Sequence, residues 1–459
     1  MFDYRINILD LFIAFLTYIV LLSAAYIIMQ RNIERKPHYR FFMIGFHAKI
    51  LGGLIFAMIY AIYYNGGGDS IAYWLGGERL KNLFFKSPGD FFDELAGNQS
   101  WVSYFNHFTA DTGYPPDWLY RSPRHFFVCR VTSIICFFIP KSFFGVTFFY
   151  SFLSYLGAWR LYEVYIRNFP SLEKSFRWAV LLIPSTLFWC SGVMKDTIVY
   201  TCICYIIYFT DRQFSSVEKR SRLKFILRLA INMFLIYSVK PYVLIALFPG
   251  WLLWINYQAI QRIRSRVLKY YLLPFVVTGT IFFAARIYMS TSGGEFAADA
   301  IVEKAMITRN DFAYNATYGS NRYEVEKVEN TTAGLISSIP SALMAGLFRP
   351  YIWEARSPVV FLSGLENLWI MSLLLYALWR LKIIGVFRLV GSHPLLLYSF
   401  VFTIILAFFV GFTTVIFGAL VRFRTPMLPF FIGFLVISIN RIKILREEKA
   451  VRKKVQTSS

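Results

Sequence analysis

Apolar residues in this chain come in long blocks punctuated by short charged segments, and the blocks have the length of membrane helices. About 20 apolar residues, rising 1.5 Å each, cross a hydrocarbon layer of roughly 30 Å. Blocks of about that length lie at residues 8–29, 41–64, 142–166, 271–287, 359–379, 394–414 and 426–439. Two longer blocks, 178–209 and 229–256, are interrupted at their midpoints by Ser191-Gly192-Val193-Met194-Lys195-Asp196 and by Ser238-Val239-Lys240-Pro241. Each is predicted to be a pair of short spans that reverses at its polar turn, which brings the expected number to about eleven. The shorter block 126–139 reads as interfacial or re-entrant. No internal repeat or low-complexity linker divides the chain, so the expected fold is all-α, a single polytopic membrane domain over 1–459.

Charge then orients the path. Lys and Arg concentrate in cytoplasmic connections of membrane proteins, and the run Arg31-Asn32-Ile33-Glu34-Arg35-Lys36-Pro37-His38-Tyr39-Arg40 after the first block is strongly basic. That places the N-terminus outside. The segment 65–125 becomes a first large outer loop; its stretch 65–124 holds seven acids against five bases. Clusters around Arg212 to Lys224 and Arg262 to Lys269 fall inside, 290–358 forms a second large outer loop, and the basic tail 441–459 is cytoplasmic. The net charge of +22 thus reports topology, not nucleic-acid binding. The first block is too long, and too weakly basic in front, for an ordinary cleaved signal, so it is expected to stay. Five cysteines, Cys129, Cys136, Cys190, Cys202 and Cys204, lie in or beside apolar blocks without loop pairing or metal spacing. The five histidines form no metal set; three lie on the inner side, and only His107 and His125 share an outer loop.

Charges that this path does not place inside collect on its outer side: Asp69, Lys195, Asp196, Lys240, Arg349, Arg422 and Arg424. Ionisable groups in or at the edge of apolar segments are costly unless solvated or used. Asp69 follows Gly66-Gly67-Gly68 at the mouth of the second span, placed either to take a proton from a hydroxyl or simply to cap the helix that follows. Lys195 suits an anionic group and Asp196 a sugar hydroxyl or a metal; the alternative is an ion pair that only stabilises the turn. Arg349, next to Pro350, is a candidate phosphate ligand, although Tyr351 and Trp353 beside it suit an interfacial belt. Arg422 and Arg424, if extended, point the same way and clamp an anion; otherwise they snorkel to headgroups. Trp101, Tyr104, Phe105, Tyr114, Trp118 and Tyr120 offer flat faces to sugars or anchor at the interface.

The order of these features resembles the GT-C superfamily of integral-membrane glycosyltransferases, which use polyprenyl-phosphate-linked sugars. The motifs are an outer-loop acid followed four residues on by Tyr (Asp69, Tyr73), a short span with Pro and a polar turn (Pro184, Ser191 to Asp196), a base before Pro (Lys240-Pro241), and Arg-aromatic-Arg-x-Pro (Arg422 to Pro426). The resemblance covers most of the chain in order, through short motifs. It implies an inverting hexosyl- or pentosyltransferase in a bacterial inner membrane, active at the extracytoplasmic face on a glycan or lipid-linked acceptor. Asp69 and Asp196 would be catalytic, Lys195, Lys240, Arg349, Arg422 and Arg424 would hold the donor phosphate, and Tyr73 and Trp118 would contact substrate. No cofactor is required by it, and a divalent metal is compatible with it. Two departures are an extra span before the acidic loop and Lys195-Asp196 where an acid alone is expected, which leaves the role of Asp196 open. The same features are similar to bacterial polymerases of lipid-linked polysaccharide repeat units. A flippase or transporter of lipid-linked glycans would instead need inverted repeats and short loops, and a non-catalytic envelope subunit would tolerate neutral residues at every charge named.

Overall fold

The computed structural model describes residues 4–64, 66–214, 221–257, 306–312, 334, 337–355, 357–441 and 444. The block 271–287, most of the segment 290–358 ahead of residue 337, and nearly all of the basic tail lie outside the described residues. Every regular element among those described is helical. Among the described residues five helices are long and apolar enough to cross a membrane, or six if one sharply bent pair counts as a single span. The chain is therefore an all-α membrane protein.

The chain divides into two compact units that alternate along the sequence: Met1–Leu161 with Pro184–Phe209 and Glu218–Pro241, and Tyr162–Ile183 with Thr210–Val217 and Tyr242–Ser459. In the first unit, α1 (Ile8–Ile33) leaves most of its apolar surface exposed and buries only Asp10, Ala14, Thr17, Leu21 and Ala25. That stripe, three to four residues apart, is the packing face of a helix whose other sides are left for lipid. Asp10 on the stripe accepts hydrogen bonds from the Tyr4 hydroxyl and, at 2.7 Å, from Ser142 Oγ, which ties α1 to the start of the helix that begins at Phe143. Next come α2 (Phe42–Met58), continued by a π turn at Ile59–Tyr63, and then the glycine run. Gly66 and Gly68 adopt φ of 71° and 87°, a left-handed conformation that lets the chain turn from the end of α2 into α3 (Asp69–Lys86).

The segment expected as an outer loop is itself folded. It contains α3, α4 (Pro88–Ala96), α5 (Trp101–His107) and α6 (Asp117–Tyr120) before α7 (Pro123–Phe138) begins. The apolar stretch read as interfacial or re-entrant is α7, and it meets α8 (Phe143–Asn168) at a bend of 108°. After α9 (Glu173–Phe176) and a π turn, the first interrupted block becomes a six-residue helix, α10 (Pro184–Trp189), a turn, and α11 (Lys195–Phe214). The second becomes α12 (Arg222–Val239) and α13 (Pro241–Ile255), broken at Lys240-Pro241, where proline cannot donate to the preceding turn. These pieces are shorter or more charged than the five qualifying spans. The second unit adds α14 (Ile339–Phe348), α15 (Pro358–Val390), α16 (Pro394–Thr413), α17 (Phe417–Arg424) and α18 (Leu428–Ile439). The last two are joined by a 3-10 turn into one apolar segment, Phe417–Ile439, so Arg422 and Arg424 lie within the final span candidate instead of ahead of it.

Candidate functional site

The first unit gathers most of the predicted residues. Lys195 and Asp196 begin α11, and the Lys240 ammonium at the α12–α13 break forms an ion pair with Asp196. All three are buried: Asp196 is 0% exposed and both lysines 7%. Asp196 is thus partnered across the fold by Lys240, and its neighbour Lys195 leaves the helix in a different direction, since adjacent helical residues do not face each other. The turn that carries them is pressed onto α2. A Cβ added at Gly192 would sit 2.0 Å from the Phe56 ring, and one at Gly52 would sit 2.1 Å from the Leu187 carbonyl oxygen. Ser151 Oγ donates to Ser191 O at 2.8 Å, and Thr197 Oγ1 donates to Gly192 O at 2.7 Å, so these two carbonyls of the turn are satisfied by side chains within the protein. Lys49, the one charged side chain of α2, donates to Thr186 O at 2.7 Å and lies 5.5 Å from the Tyr200 ring centroid. Sequence reasoning passed over Lys49, although a lone lysine within an apolar helix is a legible signal.

Asp69 occupies the first turn of α3, half-buried, with Gly68 as the cap residue. The capping reading of Asp69 is therefore replaced by a first-turn carboxylate at the positive end of the helix. One turn on, the fully buried Tyr73 is hydrogen-bonded through its hydroxyl to His125 Nδ1 at 2.6 Å. His125 meets Trp118 edge to face, with centroids 5.6 Å apart. Tyr73 and Trp118 are thus joined through a histidine that sequence reasoning treated as isolated.

A second polar cluster in the same connecting helices was also missed. Glu94 on α4 is 0% exposed. Its Oε1 accepts from Tyr120 OH at 2.7 Å and from His107 Nδ1 at 2.9 Å, and its main-chain oxygen accepts from Arg130 Nε at 2.6 Å. His107 Nε2 lies 3.7 Å from Asp90. Burial pushes the Glu94 carboxyl up, against the pull of Tyr120, His107 and Arg130, and burial with the Glu94 contact pushes the Tyr120 phenol up. The pairing of His107 with Asp90 and Glu94, four residues apart on another short helix, is a contact between elements that left no periodic trace in the sequence.

The second unit holds the predicted arginines, and they separate in role. The run Arg422-Phe423-Arg424 is helical, so residues two apart face opposite sides and the extended two-pronged clamp is not formed. Arg424 is 0% exposed. Its guanidinium donates to Arg349 O at 2.8 Å, to Leu347 O at 3.2 Å, and to Asn367 Oδ1. Asn367 Nδ2 in turn donates to Pro350 O at 2.8 Å. Arg424 therefore holds the α14–α15 connection. Arg422 is half-buried with its guanidinium over the Phe423 ring, and Arg349 is half-buried with its Nε 3.4 Å from Glu354 Oε1. Beside Arg349, a small cleft is lined by Phe348, Tyr351, Trp353 and Asn367 among others.

Among the described residues no group of three or more His, Cys, Asp or Glu is placed to hold a metal ion, and all five cysteines are buried and unbridged. No family model matches the chain, and no curated protein or solved structure matches it significantly.

Proposed function

We propose that the chain is an integral-membrane glycosyltransferase that moves a sugar from a polyprenyl-phosphate-linked donor to a glycan or lipid-linked acceptor. In this reading the fold is of GT-C type with about eleven spans, in a bacterial inner membrane, N-terminus outside and C-terminus cytoplasmic, with the chemistry on the extracytoplasmic face. One observation carries it: the first unit joins a half-buried first-turn carboxylate, Asp69, in the same helix turn region as Tyr73, His125 and Trp118, and separately buries Lys195, Asp196 and Lys240 at a turn within apolar helices. Burying three ionisable groups in such a layer costs several kcal/mol unless they serve a ligand or each other.

The roles follow from the surroundings. Asp69 is the general base for the acceptor hydroxyl, a task that contributes about 10²- to 10⁴-fold. Asp196 is engaged by Lys240 and orients it, so Lys195 and Lys240 supply positive charge for a phosphate leaving group, helped by the N-terminus of α11. Arg349 and Arg422, both half-buried, are kept for an anionic headgroup, and Arg424 serves structure. The test offers purified protein a panel of lipid-linked sugar donors. A new glycosidic bond is expected with the native chain and none with Asp69→Asn, which still inserts and expresses. Movement of intact lipid-linked sugar across vesicles with no new bond would replace the transferase by a transporter.

A further inference from the structure

Helices α3 and α7 run parallel, because their contacts climb in step: Tyr73 meets His125, Gly76 meets Cys129, and Gly77 meets Thr132. Both helices therefore start at one level, with Asp69 in the first turn of α3 and His125 in the first turn of α7. Asp69 precedes Tyr73 by four residues, on the same helix face and about 6 Å along the axis. The Tyr73 and His125 rings stack with centroids 5.9 Å apart and planes 17° apart, and the hydroxyl fixes Nδ1, so the other ring nitrogen points away from Tyr73. Trp118 packs its ring against the same imidazole and is 39% exposed, while Tyr73 is 0% exposed. The three rings form a path from the interior to solvent, with Asp69 one turn away from its inner end. Asp117, next to Trp118 in the chain, pairs with Arg121 at 3.2 Å, and the Arg121 guanidinium lies 5.0 Å from the Trp101 ring centroid.

A partly exposed aromatic face beside a fixed hydrogen-bonding edge is what recognises a pyranose: C–H bonds of the ring pack on the indole and hydroxyls pair with the imidazole. We propose that His125 and Trp118 form the acceptor-sugar subsite, an inference that rests on the transferase reading above. Trp118 takes the apolar face of the acceptor, and His125, oriented by Tyr73, holds one hydroxyl so that its neighbour faces Asp69. In the transfer, that neighbour gives its proton to the Asp69 carboxylate and its oxygen bonds to the donor's anomeric carbon. The bond from that carbon to the phosphate oxygen breaks, and its electron pair leaves on the lipid phosphate. His125 is a substrate contact that sets acceptor geometry; Tyr73 is a positioning residue acting through it.

The experiment uses the full chain in lipid nanodiscs, which keeps sugar-headed detergents out, probed by saturation-transfer NMR with methyl glycosides of glucose, galactose, mannose and N-acetylglucosamine. At least one glycoside is expected to receive saturation, with the effect cut about tenfold in Trp118→Ala and His125→Phe and unchanged in Trp101→Ala. His125→Phe keeps the stack on Tyr73, so equal melting temperatures separate lost binding from lost folding; should it melt early, Trp118→Ala, at a partly exposed position, decides. No saturation of any glycoside, or equal saturation in all variants, overturns the subsite. In the donor assay His125→Phe should raise the acceptor KM about tenfold more than it lowers kcat. Glycoside binding that depends on Trp118 and His125, without transfer from any donor, sinks the transferase and leaves the subsite. Transfer whose acceptor KM ignores both residues does the reverse.

Discussion

Glu94 offers the sharpest physical test of the connecting helices, because one carboxyl oxygen does most of the tying. Oε1 accepts from Tyr120 on α6 and His107 on α5, while Oε2 is buried without a hydrogen-bond partner among the described residues. Burial holds the Glu94 pKa above the usual carboxylate range, against the pull of the hydrogen bonds from Tyr120 and His107. The sign follows from linkage. A group whose pKa is raised on folding contributes stability that is fully present below its unfolded value and is lost as pH rises through the folded value.

Replacing Glu94 by Gln keeps an oxygen for Tyr120 and His107 and removes the titration. Replacing it by Ala removes both bonds and strands the Tyr120 hydroxyl, whose residue is 4% exposed, at a cost of about 1–3 kcal/mol. His107 is part-exposed and can turn to water, adding only about 0.5–1.5 kcal/mol, so the loss for Ala is roughly 2–4 kcal/mol. Amide hydrogen exchange over residues 88–122, read between about pH 4.5 and 8, measures the local opening that these bonds resist. Glu94→Gln should match the native chain at the acid end and become relatively more protected as pH rises, while Glu94→Ala should exchange about 30-fold or more faster throughout. If the advantage of Gln shrinks with rising pH, the native carboxyl is ionised and paired, and the reasoning fails.

The remaining predictions concern the two units separately. Asp196→Asn or Lys240→Met should each destabilise by about 3–5 kcal/mol by breaking the buried ion pair, whereas Asp196→Leu with Lys240→Met should recover stability but not activity, as melting and turnover together would reveal. Gly192→Ala forces a Cβ to 2.0 Å from the Phe56 ring and should lower the melting temperature, with recovery on adding Phe56→Ala; absence of recovery refutes the close approach. Arg424→Met should cost folding about 3 kcal/mol or more through three stranded oxygens and lower the melting temperature more than Arg422→Ala does; equal losses would refute the structural role of Arg424.

Hydropathy made the long spans legible because their signal is local and repeats along one helix: α1, α2, α15, α16 and the final segment lie where the apolar blocks do. It could not show that the polar turn at Ser191–Asp196 nestles on α2, since Gly52, Gly53 and Gly192 carry no hydropathy pattern and declare themselves only where backbones touch. The same holds for the candidate site. Asp69 and Tyr73 are four residues apart, so one helical turn suffices to relate them, whereas His125 enters through a parallel packing of α3 on α7 that bridges 52 residues. Arg422 and Arg424 illustrate the opposite error: their spacing suits a clamp only on an extended chain, and the apolar run from Phe417 onward selects helix, which turns one guanidinium inward. Inside, an arginine finds backbone carbonyls before it finds a ligand. A charge in an apolar span is thus evidence of a demand for partners, and the geometry of Asp196, Lys240 and Arg424 separates partners the fold supplies from those a substrate would have to bring.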